Sequence, residues 1–221
     1  MFEKDTVQTS EGELEITFVG HGTLMFQFDG KTIHVDPVSR EADYSRMPDA
    51  DVILVTHEHG DHLDPEAIAH VRTDGTQVVG PPKCAGQIDG ALAMKAGDER
   101  VVQGLPVEAV PAYNIRHKRD SGAPFHPRGD GVGYVVGFGD VRVYVAGDTE
   151  NIPEMAELED IDIAFLPMNL PYTMTPEMGR DAALMFRPRI LYPYHYGQTD
   201  PAELAELLEG EGIEVRVRQL Q

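Results

Sequence analysis

The segment His57-Glu58-His59-Gly60-Asp61-His62 constrains this chain more than any other, because three histidines and Asp61 give it four potential metal ligands within six positions. It follows the short apolar run Val52-Ile53-Leu54-Val55, and such a run bounded by turn residues predicts a buried strand. The four side chains therefore lie on a loop at the carboxyl end of a strand. Imidazole nitrogens and carboxylate oxygens are ligands of zinc, iron and similar ions. The spacing predicts a metal site in which the alternating histidines face one ion and the Asp-His pair faces a second.

Strand and helix signals alternate along the chain after an early β-rich portion. Asp29-Gly30 and Gly139-Asp140 are hairpin turn signals between alternating runs. Strand pairs followed by strand–helix units predict an α/β (α+β) fold of two sheets packed face to face, with helices outside. No long linker or low-complexity segment interrupts the sequence, so we expect one domain spanning residues 1–221.

Helix starts share one chemistry. A capping oxygen precedes a proline at Asp64-Pro65, Thr175-Pro176 and Asp200-Pro201, and proline is well suited to the first helical position. A further helix is predicted within Cys84–Ala96, ended by Gly97.

The histidine-rich segment resembles the His-x-His-x-Asp-His signature of the metallo-β-lactamase fold superfamily, and the resemblance covers nearly the whole chain. Within that superfamily the chain looks most like small metal-dependent hydrolases related to L-ascorbate-6-phosphate lactonase. The resemblance implies a four-layer αββα sandwich with its active site along one edge, where strand-end loops meet. The other matching segments, in the same order along the chain, are Val19-Gly20-His21-Gly22-Thr23, Val35-Asp36-Pro37, Ala146-Gly147-Asp148-Thr149, Pro171-Tyr172-Thr173-Met174 and Pro193-Tyr194-His195-Tyr196-Gly197.

The same resemblance implies ligands for two divalent ions, with Zn²⁺ expected and Mn²⁺ or Fe²⁺ as alternatives. Asp148 and His195 each follow a predicted strand, and Asp148 is implied to bridge the two ions. The implied ligands are His57 and His59 at the first ion, Asp61, His62 and His195 at the second, and Asp148 between them.

The third ligand of the first ion departs from the common pattern of the superfamily. A histidine usually closes a Pro-Ala-x-His segment, whereas this chain has Pro111-Ala112-Tyr113-Asn114. An amide oxygen is a weaker, neutral ligand. Three arrangements stay open: Asn114 stands as a weak ligand of an incompletely filled site, His126 folds back from its loop to bind, or His117 does so.

Other polar residues near the expected edge receive separate roles. His21 lies in a glycine-flanked turn, and we expect it to contact substrate or transfer a proton; with Asp61 it is the candidate catalytic residue. Asp36 is expected to hydrogen-bond a ligand histidine and fix its tautomer. His34 alternates within a strand and is expected to be structural.

The predicted reaction is hydrolysis of an ester, lactone or phosphodiester bond in a small molecule. Two divalent ions about 3.5–4 Å apart can share a hydroxide and make it a nucleophile at neutral pH. Two alternatives stay open: a non-catalytic metal-binding or regulatory protein of the same fold, and a di-iron redox enzyme.

Charge and composition restrict the partners. The formal net charge is −20, and such a surface repels the phosphate backbone, so no nucleic-acid partner is expected. No apolar stretch is long enough to span a bilayer, and the single cysteine, Cys84, suits a reducing compartment, so we expect a cytoplasmic protein with no membrane partner. The acid excess also resembles that of proteins from salt-loving organisms. Assembly into a homo-oligomer stays open.

One basic cluster stands out against this acidic background. It consists of Arg116, Lys118, Arg119 and Arg128, around His126. A basic rim beside a metal cleft would attract an anionic small-molecule substrate.

Overall fold

Strands dominate the architecture of residues 2–220, which the computed structural model describes. Two short 3₁₀ turns, Tyr44–Arg46 and Pro153–Glu157, supplement the main elements. The strands are β1 (Glu3–Thr9), β2 (Gly12–Gly20), β3 (Thr23–Phe28), β4 (Lys31–Val35), β5 (Ala50–Leu54), β6 (Arg72–Gly80), β7 (Leu92–Ala93), β8 (Glu99–Val102), β9 (Leu105–Ala112), β10 (Gly131–Phe138), β11 (Val141–Val145), β12 (Ile163–Pro167), β13 (Ile190–Tyr194) and β14 (Glu214–Val215). The helices are α1 (Pro65–Val71), α2 (Pro82–Ala85), α3 (Pro176–Phe186) and α4 (Pro201–Leu207).

Each half of the chain forms one seven-stranded mixed sheet. The first sheet has the order β1-β2-β3-β4-β5-β6-β7, and the second has β14-β13-β12-β11-β10-β9-β8. In both, the first four strands pair antiparallel and the later strands pair parallel. The two halves therefore share one topology, although no repeat is evident in their sequences.

The core lies between the two sheets. Aromatic side chains from both meet there: Phe26 of β3 packs 5.6 Å from Phe138 of β10 and 6.0 Å from Phe165 of β12, measured between ring centroids. Strand β5 is buried on both faces. Val52 and Leu54 face this central core, while Ile53 belongs to a second cluster beneath α1. This double burial explains its continuous apolar run and confirms the predicted arrangement of face-to-face sheets with helices outside.

The three proline-started helices form where the capping pattern predicts them. Asp64 accepts the backbone N–H of Glu66 at 2.9 Å, and Thr175 and Asp200 cap α3 and α4 in the same manner. These side chains satisfy amide groups that have no partner inside the helix. The helix following the histidine-rich loop therefore begins at a fixed point.

The prediction of a helix within Cys84–Ala96 is wrong. Helix α2 ends at Ala85, and Gly90 adopts a left-handed φ of +71°, which interrupts helical geometry. Leu92 and Ala93 instead pair with β6 as strand β7, so sheet pairing outweighs the local helix preference.

None of the helices within residues 2–220 is long and apolar enough to cross a bilayer.

Candidate metal centre

Loops from both sheets meet at one edge of the sandwich. The histidine-rich loop follows β5, Asp148 follows β11, and His195 directly follows β13. His126 arrives on the long connection between β9 and β10. Because carboxyl ends of parallel strands lie at the same edge of a sheet, residues separated by more than a hundred positions converge.

A first group of ligand atoms comes from His57, His59 and His126, which lie within 4.8 Å of one another. His57 Nε2 is 3.1 Å from His59 Nδ1. Asp148 Oδ2 faces this group, at 3.2 Å from His126 Nε2 and 3.8 Å from His57 Nε2. These four side chains can surround one ion of the size of zinc.

A second group comes from Asp61, His62 and His195. The Nε2 atoms of His62 and His195 are 3.0 Å apart, and Asp61 Oδ2 lies 3.9 Å and 3.7 Å from them. The other oxygen of Asp148, Oδ1, is 3.4 Å from both nitrogens. Asp148 therefore points one oxygen toward each group.

The residues present fit divalent ions. Asp148 is 5% exposed, and its Oδ1 has no hydrogen-bond partner among the described residues. A buried carboxylate oxygen without a partner is costly, and a cation held with His62 and His195 would satisfy it. Nitrogen and carboxylate donors together suit zinc, iron or manganese.

Burial and the neighbouring carboxylates act in opposite directions on the histidines of the site. Burial lowers the pKa of His57 well below its usual value. Burial also acts to lower the pKa of His62, but the charges of Asp148 and Asp36 outweigh it and raise that pKa to about 9. For Asp148 the raising effect of burial is overcome by the neighbouring histidines, chiefly His195, which hold its pKa well below the usual range. The carboxylate stays ionised, and a divalent cation can supply the positive charge the cluster attracts.

Hydrogen bonds behind the ligands set their tautomers. Asp36 Oδ2 lies 2.7 Å from His62 Nδ1, which is the hydrogen bond expected of Asp36. Its carboxylate also accepts the backbone N–H and hydroxyl of Thr56, at 2.7 and 2.6 Å. Thr56 Oγ1 in turn lies 3.1 Å from His57 Nδ1. A hydrogen on each Nδ1 leaves each Nε2 lone pair available to a metal.

Asn114 and His117 do not join the ligand groups. Asn114 Oδ1 lies 2.6 Å from His126 Nδ1, so the amide oxygen faces the histidine and not the ligand atoms. His117 Nδ1 lies 2.8 Å from the carbonyl oxygen of Thr173 and 3.1 Å from Glu150. Of the three open arrangements, the structure brings His126 to the first group.

His21 lies beside the second group. Its Nε2 is 3.3 Å from Asp61 Oδ2, and its ring centroid is 3.8 Å from that of His195. His21, Asp36 and His195 all have positive φ values, between 45° and 51°. Such backbone conformations are uncommon outside glycine and concentrate at functional sites.

An open cleft of about 520 Å³ leads to both groups. Arg40, Arg119, Phe125 and Tyr172 line it together with His21 and ligand side chains. The Arg119 guanidinium lies over the Phe125 ring, 5.2 Å from its centroid, and donates to the Phe125 carbonyl oxygen at 3.2 Å. Arg128, from the same predicted basic cluster, instead bonds Glu154 and lies over Tyr113.

His34 is structural, as expected, and Cys84 is likewise part of the core. His34 is fully buried and its Nε2 lies 3.0 Å from the Pro48 carbonyl oxygen. Cys84 is a buried free thiol whose pKa burial raises to about 12, so it is unreactive.

Four residues of the site escaped the sequence reasoning: Thr56, Glu150, Arg40 and Asn169. Thr56 directly precedes the predicted ligand His57, and Glu150 lies two residues after Asp148, so a polar residue close to a predicted ligand is the signal that could have identified them. Arg40 and Asn169 enter the cleft through loop geometry, for which the sequence offers no comparable pattern.

Comparison with known proteins identifies the family. A family model described as a β-lactamase superfamily domain matches residues 15–195. A UPF0173 metal-dependent hydrolase of Methanopyrus kandleri is 32% identical, over 92% of this chain and 95% of its own. This chain belongs to the metal-dependent hydrolases of the β-lactamase superfamily. A second relative of the hydrolase, from Pyrococcus horikoshii, bears the same family name and is 33% identical over 91% of this chain and 95% of its own.

Solved structures agree with this placement of the hydrolase. A protein from Parabacteroides distasonis, assigned as a metal-dependent hydrolase, superposes with a TM-score of 0.96 at 50% identity, covering 100% of both chains. A metallo hydrolase from Ignicoccus hospitalis has a TM-score of 0.75 at 24% identity, over 94% of this chain and 95% of its own, which shows the shared fold. The names of these relatives do not specify a lactonase, so the finer resemblance to ascorbate-6-phosphate lactonase stays a prediction.

Proposed function

We propose that this hydrolase cleaves an ester, lactone or phosphodiester bond of a small molecule at a site for two divalent ions, with zinc as the expected metal. The observation that carries the proposal is the carboxylate of Asp148, which directs one oxygen to each ligand group. A single ion would leave one ligand group empty, and an ion at the first group alone would leave Asp148 Oδ1 without a partner among the described residues. The ligand set is His57, His59 and His126 on one side and Asp61, His62 and His195 on the other.

The side chains and the ions have separate tasks in the proposed reaction. Two bound ions supply a nucleophile at neutral pH and polarise the bond under attack. Asp36 and Thr56 keep His62 and His57 in the tautomers that bind metal. His21, which lines the cleft beside Asp61, is placed to contact the substrate. Asp61 belongs to the ligand set proposed for the second ion, so it would contribute to catalysis by binding that ion.

A decisive experiment strips the protein of metal and restores Zn²⁺, Mn²⁺ or Fe²⁺ separately. Generic esters, lactones and phosphodiesters are then assayed, and bound metal is counted by elemental analysis. We expect two ions per chain and hydrolysis of at least one bond class. Asp148→Asn should lose most bound metal and activity, while Glu154→Gln, which changes a carboxylate bonded to Tyr113 and Arg128, should retain both.

Two outcomes would contradict the proposal. A stoichiometry of one bound ion per chain at saturation would rule out the two-metal site. Inactivity on every bond class with two ions bound would favour a non-catalytic metal-binding protein instead.

The cleft also supports a preference for an anionic substrate. Apart from histidines, the charged side chains lining it within residues 2–220 are Arg40, Arg119, Asp61 and Asp148. The two carboxylates face the ligand groups, and Arg40 is paired with Glu41 at 2.8 Å, which leaves Arg119 to meet the substrate. In a chain with 38 acidic and 18 basic residues, a positive side chain at the mouth of the metal site favours anions locally.

Substitution of Arg119 tests that preference. Arg119→Ala should raise KM for an anionic phosphodiester such as bis-p-nitrophenyl phosphate, and should leave KM for the neutral p-nitrophenyl acetate unchanged. Arg128→Ala is the matched control, because its guanidinium bonds Glu154 away from the cleft. Equal effects of the two variants would show that Arg119 does not select charge.

A further inference from the structure

The ring of His126 is held by Asn114 through one oxygen. Asn114 Oδ1 accepts the His126 backbone N–H at 2.9 Å and lies 2.6 Å from His126 Nδ1. Since a backbone N–H only donates, the atom facing it must be the amide oxygen, and Nδ1 must carry the hydrogen. The lone pair of the ring is then on Nε2, which lies 3.2 Å from Asp148 Oδ2. Asn114 therefore selects the tautomer that can bind a metal.

Asn114 is in turn held by acceptors on its other side. Its Nδ2 donates to the Tyr172 carbonyl oxygen at 2.8 Å and to Glu150 Oε1 at 3.2 Å. Both are acceptors only, so the orientation of the amide is determined twice. If the amide were rotated by 180°, its NH₂ group would face the donors of His126 and its oxygen would face the acceptors of Tyr172 and Glu150.

Glu150 anchors the start of the loop that carries His126. The side chain is buried, in a residue 1% exposed, and it accepts backbone N–H groups from three consecutive residues. These donors are Ile115 at 2.8 Å, Arg116 at 2.7 Å and His117 at 2.6 Å. Asn114 N–H also donates to the His126 carbonyl oxygen at 2.9 Å, so the two ends of the loop are joined. The carboxylate thus fixes the turn on which Asn114 and His126 depend.

We propose that Glu150 and Asn114 form a positioning relay that sets the tautomer and location of His126, and with them the affinity of the first metal site. Neither residue belongs to the ligand groups. The relay rests on the two-metal site proposed above, but its effect on the His126 ring exists without metal.

The relay acts on one site only. His62, in the second group, has its own carboxylate partner in Asp36 at 2.7 Å, and His57 is bonded to Thr56. Loss of the relay should therefore weaken the first site by about 10–100-fold, the usual effect of removing such a supporting group, and leave the second within about twofold.

Asn114→Leu and Glu150→Gln test the proposal. Metal-free protein is titrated with Zn²⁺ in competition with a chelator, which resolves the two binding steps. In each variant one of the two binding steps should weaken, and the other should keep its wild-type affinity. Glu154→Gln is the matched control, since this nearby carboxylate bonds Tyr113 and Arg128 and no ligand histidine.

Two further measurements separate positioning from a general loss of structure. ¹⁵N spectra of the His126 ring in metal-free protein, at a pH where it is neutral, should show the Nδ1–H form in the wild type and a tautomer mixture in Asn114→Leu. This variant leaves the backbone bonds of Glu150 intact, so the test survives if Glu150→Gln fails to fold. Because Glu150 acts partly through Asn114 and partly through the loop backbone, the double variant should weaken the first site by less than the product of the two single effects.

An unchanged tautomer in Asn114→Leu would overturn the proposal. So would equal weakening of both binding steps, or additive effects in the double variant. None of these readouts depends on hydrolysis, so failure of the relay is distinguishable from failure of the proposed function.

Discussion

At the scale of single residues, the space beside the ligand side chains restricts the sequence as strongly as the ligands do. A Cβ atom at Gly22 would lie 2.7 Å from His62 Cε1 and 3.2 Å from His195 Cδ2. Both contacts are shorter than ordinary van der Waals separations, and both partners are proposed ligands of the second ion. Glycine at this position therefore permits the two imidazoles to converge.

Gly22→Ala should displace His62 and His195 and reduce metal affinity at the second site by at least about tenfold, because a shift of well under an ångström disturbs a coordination sphere. Zn²⁺ titration of metal-free protein measures the effect. Gly60→Ala is the control, since Gly60 lies in the histidine-rich loop and a Cβ there meets nothing within 4 Å. Unchanged affinity in Gly22→Ala would show that the second group has room to relax.

The sequence predicts the ligands that directly follow strands. It does not predict a ligand whose position depends on the conformation of a long loop. His57, His59, Asp61 and His62 are adjacent in the chain, so their convergence needs only one strand end. His126 is different, because its position depends on hydrogen bonds to Asn114 and, through it, to Glu150. Those bonds depend on the folded loop and have no sequence spacing of their own.

At the scale of elements, apolar periodicity and capping residues predict most of the structure. The exceptions are strands with little apolar content. Strand β1 (Glu3–Thr9) is an edge strand with mostly polar residues, and it forms because its backbone pairs with β2. An apolar pattern in the sequence indicates which residues are buried, so it does not predict a polar strand that forms by backbone pairing.

Strand β1 is also held by a charged contact with the carboxyl-terminal segment. Asp5 accepts two bonds from Arg218 Nη2, at 2.9 and 2.8 Å, and one from the Tyr192 hydroxyl at 2.5 Å. Burial acts to raise the pKa of Asp5, but the bonds from Tyr192 and Arg218 outweigh it and lower that pKa. Because the pKa is lowered on folding, this stabilisation is complete above the ordinary carboxyl value and is lost as pH falls through the folded value.

Asp5→Asn should lower the melting temperature by about 2–6 °C at neutral pH, as expected for charged hydrogen bonds in a chain of this length. The difference from the wild type should shrink below about pH 4. Calorimetry across pH measures both effects. Asp29→Asn, at a side chain that is 69% exposed, is the control and should change little.

At the scale of the whole molecule, the net charge of −20 opposes compactness. Like charges on one surface repel, and salt reduces that repulsion because the screening length falls from about 30 Å at 0.01 M to about 8 Å at 0.15 M. The chain is therefore expected to gain stability from salt.

The melting temperature should rise steadily with KCl from low to molar concentration. Sucrose of matched osmolality provides the comparison, since it stabilises proteins without screening charge. A melting temperature insensitive to KCl would contradict both the repulsion argument and the resemblance to salt-adapted proteins.

The shared topology of the two sheets gives the metal centre a second significance. Donors from the amino-terminal half, His57 to His62, face donors from the carboxyl-terminal half, His126, Asp148 and His195. Cations bound between them would link the two halves of the molecule, so removal of metal would lower the stability of the fold as well as abolish hydrolysis.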